Sequence, residues 1–116
     1  MKKQIVGMAA ALMMMCTVAR AQDVTGDWQG TLHAGKDLRI VMKITKDDGK
    51  LKAVAYSIDQ GSQAMNAAEV ALQGTDFKFS VPSVGGSYSG KLSADGNTIS
   101  GTWTQGQPLA LVLVRA

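Results

Sequence analysis

The chain has 116 residues and a formal charge of +3, but Lys2, Lys3 and Arg20 precede every acidic residue, so Gln22–Ala116 is neutral. Neutrality there excludes the basic stripe that nucleic acid or an anionic membrane surface would call for. The one cysteine, Cys16, also lies upstream, which leaves the rest of the chain with no disulfide and no thiolate metal ligand.

Lys2 and Lys3 open a short basic start, and an apolar run follows from Ile5 to Val18. Ala19-Arg20-Ala21 then places small residues at both positions that a signal peptidase reads. Residues 1–21 are predicted to be a cleaved signal peptide and residues 22–116 a single exported domain, periplasmic or extracellular. The apolar run falls short of the roughly 20 residues that a membrane span needs, so no transmembrane segment is expected in the mature chain. Cys16 offers a minor alternative, a lipoprotein anchor. However, Met13-Met14-Met15 departs from the small-residue box that such processing uses.

Downstream of the leader the pattern alternates with the two-residue period of half-buried strands. Asp27–Leu32 puts Trp28, Gly30 and Leu32 on one face. Leu38–Lys46 puts Leu38, Ile40, Met42 and Ile44 on one face, and Asp47-Asp48-Gly49-Lys50 follows as a hairpin turn. Leu51–Asp59 returns, with Val54, Tyr56 and Ile58 opposite Ala53, Ala55 and Ser57. Met65–Leu72 reads either as a strand or as two helical turns. Its shortness and the flanking Gly61 and Gly74 favour a strand.

Phe77–Val81 turns Phe77, Phe79 and Val81 inward, and Gly85-Gly86 separates it from Tyr88–Ser93. Asp95-Gly96-Asn97 is the strongest hairpin signal in the chain. Ile99, Gly101 and Trp103 share a face of the next strand, and Gly106 and Pro108 mark the last turn. The closing strand, Leu109–Val114, is apolar on both faces. Such a strand invites aggregation at an open sheet edge, so closure is favoured. Eight strands with short connections predict an all-β fold, an eight-stranded antiparallel up-and-down β-barrel.

No catalytic set emerges. His33 is the only histidine, no Gly-x-Ser-x-Gly elbow accompanies it, and a zinc site needs three or four clustered ligands. Asp47, Asp48 and Asp95 are turn formers, and no calcium-loop spacing occurs. The glycines lack the lysine and helix of a phosphate loop. No metal and no cofactor are expected. Gly26, Gly30, Gly90 and Gly101, within or beside strands, are read as permitting strong bending or close packing under a large ring. The aromatic residues Trp28, Tyr56, Phe79, Tyr88 and Trp103 are the candidate ligand-binding set. An eight-stranded barrel can be packed solid or can hold one small ligand, and the short strands and short chain favour a core packed solid by these aromatics, with at most a shallow pocket.

Gly26-Asp27-Trp28 on the first strand, with Arg115 closing the last, is similar to the Gly-x-Trp and terminal-Arg pairing of calycin barrels, the lipocalin-like and avidin-like folds. The resemblance implies an indole covered by a guanidinium at one barrel end, which makes Trp28 and Arg115 structural residues. The series of tryptophans that lines an avidin-like pocket is missing, so no biotin site is implied. A longer match covers nearly the whole exported domain. Its segments are Gly26–Leu32, Leu38–Ile44, Ser57–Gly61 and Tyr88–Gln105 followed by Pro108-Leu109. They resemble an uncharacterised accessory domain that precedes secreted bacterial α/β-hydrolases and serine hydrolases. That resemblance implies a non-catalytic module.

Two readings of function follow. The first is a binding or accessory barrel for a small apolar ligand or a secreted hydrolase. The second is a protein-interaction or inhibitor module with a filled core, acting through its loops. An aromatic-walled pocket favours the first, and an exposed apolar patch favours the second.

Overall fold

The computed structural model describes residues 23–116. The predicted signal peptide, its cleavage site and Cys16 lie outside the described residues. Nine strands make one antiparallel sheet. They are β1 (Gly26–His33), β2 (Asp37–Asp47), β3 (Lys50–Ser57), β4 (Ala64–Asn66), β5 (Ala68–Gln73), β6 (Asp76–Val81), β7 (Gly86–Leu92), β8 (Thr98–Gln105) and β9 (Gln107–Arg115). The spatial order is β4-β3-β2-β1-β9-β8-β7-β6-β5. The first and last strands pair, and each other strand lies beside its neighbour in sequence except at the β4–β5 corner. The result is a nearly closed up-and-down barrel.

The count is nine rather than the expected eight because the strand expected over Met65–Leu72 divides at Ala67. Before that residue the chain pairs with β3, as in Ala55↔Met65, and after it the chain pairs with β6, as in Leu72↔Phe77. The Ala67 amide donates to the Ala53 carbonyl at 2.9 Å. Glu69 takes a left-handed φ of 53°, and the register shifts between Ala68 and Ala71. A bulge of this kind bends a strand sharply. Here it carries one segment from the first edge of the sheet to the last.

The β2–β3 hairpin follows its turn chemistry. Asp48 and Gly49 both have positive φ, 56° and 81°, as a tight two-residue hairpin requires. Register then decides which face points inward. Ile44, Met42 and Ile40 sit opposite Ala53, Ala55 and Ser57, so the small side chains of β3 face the interior. Val54 and Tyr56, paired with Lys43 and Val41, belong to the outer face.

The closing strand β9 lies between β1 and β8, away from either edge. Its Leu111 and Leu113 are buried, while Val112 and Val114 face outward at 47% and 39% exposure. Between them, β9 and β8 form a long ladder from Thr98↔Val114 to Gln105↔Gln107.

Large side chains concentrate at one end of the barrel. Val24, Trp28, Ile44, Phe77, Ile99 and Leu113 are almost completely buried there. The Tyr88 ring lies across Gly90 and Gly101: a Cβ built on Gly101 would stand 2.8 Å from Tyr88 Cζ. Its hydroxyl donates to the Leu111 carbonyl at 2.8 Å. Burial pushes the Tyr88 phenol well above its ordinary pKa, so it remains a neutral donor.

Candidate functional site: an apolar cavity at the open end

At the other end of the barrel the inward residues of β3 are Ala55 and Ser57, and they leave space. A cavity of about 290 Å³ opens there. Leu38, Met42, Leu109 and Leu111 contribute aliphatic wall, and Phe79 and Trp103 contribute aromatic wall. No charged side chain lines it; its polar contributors are Ser57, Gln60 and Gln105.

Of the five aromatic residues expected to bind ligand, the structure brings two, Phe79 and Trp103, to the cavity. Their strands do not touch; β7 lies between them, and Tyr88 pairs with both residues, across to Phe79 on β6 and to Trp103 on β8. Tyr88 stacks on Phe79 with ring centroids 5.2 Å apart and an interplanar angle of 25°. It supports the aromatic wall from within the core and does not line the space. Trp103 lies over Gly86, where any Cβ would run into the indole. Tyr56 is placed away from the cavity: it stands on the outer face of β3, paired with Val41.

Trp28 is also placed elsewhere. It is fully buried at the closed end, and its indole Nε1–H donates to the Val24 carbonyl at 2.9 Å. The Arg115 guanidinium lies 4.4 Å from the ring centroid, so the indole–guanidinium contact implied by the calycin resemblance is present. Arg115 also donates to the carbonyls of Gly96 at 2.9 Å, Thr25 at 2.8 Å and Asp23 at 2.6 Å. One side chain thus ties the strand entering β1 and the β7–β8 turn to the end of β9. Trp28 and Arg115 close the barrel end remote from the cavity.

At the open rim, a short 3-10 turn, Ile58–Gln60, follows β3. Its Asp59 is latched to β2. Arg39 donates to it through Nη2 at 2.8 Å, through Nε at 3.2 Å and through its backbone amide at 2.8 Å. These bonds hold the Asp59 carboxyl down at about 2. The latch fixes the turn that carries Gln60. His33 Nδ1 and Asp37 Oδ1 meet at 2.6 Å across the exposed β1–β2 connection, outside the cavity lining.

The aliphatic wall and the three polar lining residues escaped the sequence reading. Alternation puts Leu38 and Met42 on one face of a half-buried strand and leaves Leu109 and Leu111 on a strand apolar on both faces, so it does not separate cavity wall from solid core. Ser57 and Gln60 looked like ordinary residues at a strand end and loop. Comparison with protein-family models and with curated proteins found no match.

Proposed function

We propose that this chain is an exported, non-catalytic barrel that binds one small apolar molecule in the cavity at its open end. The observation that carries this reading is the division of the interior. One end is filled by Trp28, Phe77 and Tyr88, while the other holds about 290 Å³ walled by aliphatic and aromatic side chains. Ligand sites are typically mostly apolar, with a few polar groups that fix orientation. The charged pairs at this end, Arg39–Asp59 and His33–Asp37, brace the loops and lie outside the lining. Export rests on the basic, apolar and small-residue pattern of residues 1–21.

An uncharged fluorophore such as N-phenylnaphthylamine tests the reading. Its emission should rise on binding the wild-type protein. Ala55→Phe, which grows a ring into the cavity, should abolish that rise while the circular-dichroism spectrum and melting transition persist. Equal binding by wild type and by folded Ala55→Phe would refute an interior site.

The alternative, a protein-interaction or inhibitor module, draws support from a different surface. Val112 and Val114 stand exposed beside Val41 and Ile58 on the outside of the barrel, over the short β1–β9 seam. Val112→Ser with Val114→Ser should leave fluorophore binding unchanged, whereas loss of a partner in pull-down would favour this second reading.

A further inference from the structure

We propose that the polar end of the bound molecule is an uncharged carbonyl-type hydrogen-bond acceptor, an ester, lactone or ketone oxygen, received by the side-chain amides of Gln105 and Gln60. The proposal rests on the binding reading above and specifies the ligand class of the same cavity.

The inference begins with an indole. Trp103 Nε1–H can only donate, and it donates to Gln105 Oε1 at 3.2 Å. That contact settles which way the Gln105 amide faces. Its oxygen is taken by the indole, and its NH2 group is left pointing away. On one strand, residues two apart share a face, so Trp103 and Gln105 stand together at the inward rim of β8. Gln60 is set the same way. The Ser57 hydroxyl donates to Gln60 Oε1 at 2.8 Å, and the Arg39–Asp59 latch holds the turn that carries the amide. Neither NH2 group has a hydrogen-bond partner among the described residues. The rim therefore offers donors, and Ser57 Oγ, its proton committed to Gln60, offers only acceptor lone pairs.

The charge of the ligand follows from the lining, which contains no basic side chain to pair with a carboxylate. The two amides that receive the polar end stand exposed at the rim, where they match a neutral carbonyl and a carboxylate gains no ion pair from the lining. Size follows from volume. A cavity of about 290 Å³ lies at the small end of ligand pockets, so the bound molecule is small.

The test uses methyl octanoate, decane and octanoate as probes, read by tryptophan emission and by calorimetry. Methyl octanoate has an acceptor and no donor, so it cannot bond to Ser57 Oγ and isolates the amides. The variants are Gln105→Glu and Gln60→Glu, each of which keeps an acceptor for its neighbouring donor, the Trp103 indole or the Ser57 hydroxyl, and replaces the free NH2 with another acceptor. The ester-to-alkane affinity ratio should fall about two- to tenfold in each variant, the range expected for one net hydrogen bond. The wild type should also bind the ester more tightly than octanoate at neutral pH. An unchanged ester-to-alkane ratio in both variants would overturn the amide assignment, and octanoate binding as tightly as the ester would overturn the uncharged class. Failure of every probe to bind the wild type would instead overturn the cavity reading on which the proposal rests.

Discussion

Replacing Arg115 with methionine keeps a long apolar stem over Trp28 and removes only the guanidinium. Two kinds of interaction are lost. The cation–π contact at 4.4 Å is worth about 0.5–2 kcal/mol, depending on how dry the site is. The bonds to the carbonyls of Asp23, Thr25 and Gly96 are charge-assisted, a class worth about 1.5–3 kcal/mol each when fully desolvated. These carbonyls belong to exposed or half-buried residues, so water replaces most of what is lost there. The net expectation is a destabilisation of about 2–4 kcal/mol, a large share of the roughly 5–15 kcal/mol available to a domain of this kind. At about 4–8 °C per kcal/mol, the melting temperature should fall by about 8–32 °C. Urea unfolding followed by circular dichroism measures the change. A double-mutant cycle with Trp28→Phe, which retains a ring, should give a coupling of about 0.5–2 kcal/mol. If Arg115→Met costs less than about 0.5 kcal/mol, the size of an ordinary surface substitution, the guanidinium does not hold the barrel end.

Three further outcomes are expected. Tyr88→Phe deletes the hydroxyl that bonds Leu111 O at 2.8 Å and should cost about 1–2 kcal/mol in urea unfolding, with the cavity's affinity for N-phenylnaphthylamine nearly unchanged. Gly101→Ala would drive a Cβ against the backbone of Gly90 and the Tyr88 ring, and should cost about 1–3 kcal/mol or more, visible as a lowered melting temperature. Asp59 has a folded pKa of about 2 against an ordinary 3.8, so the latch to Arg39 contributes above pH 3.8 and is lost as pH falls through about 2. Acid unfolding of Asp59→Asn should lack that contribution, and an NMR titration placing the Asp59 midpoint near 3.8 would contradict the latch.

How much of this was legible beforehand differs from residue to residue. Leu38, Ile40, Met42 and Ile44 announced a half-buried strand, because one face carried bulk and the other carried Arg39 and Lys43. Asp48-Gly49 announced its hairpin through the positive φ that those residues accept. Tyr56 stands on the face of β3 opposite Ala53, Ala55 and Ser57, and alternation separates these two faces without saying which is inside. The register with β2 decides that, and it is a long-range property. Met65–Leu72 was ambiguous for a related reason. Nothing local in Ala67 and Ala68 states that the residues before them pair with β3 and those after them with β6.

The amino-acid sequence alone determined the all-β character, the turn positions and the neutral, cysteine-free composition of Gln22–Ala116, since each depends on composition, local periodicity or turn chemistry, while the Trp28–Arg115 cap was only implied by the calycin resemblance. Only the tertiary structure decided that the segment over Ala64–Gln73 bends and divides between the two edges of the sheet, that Ala55 and Ser57 face inward, and that Trp103 and Gln105 share a rim with Gln60. The physical reason is that a cavity is a difference between volumes contributed by strands far apart in the chain. Ala55 leaves space only because Met42 beside it and Phe79 on another strand do not fill it.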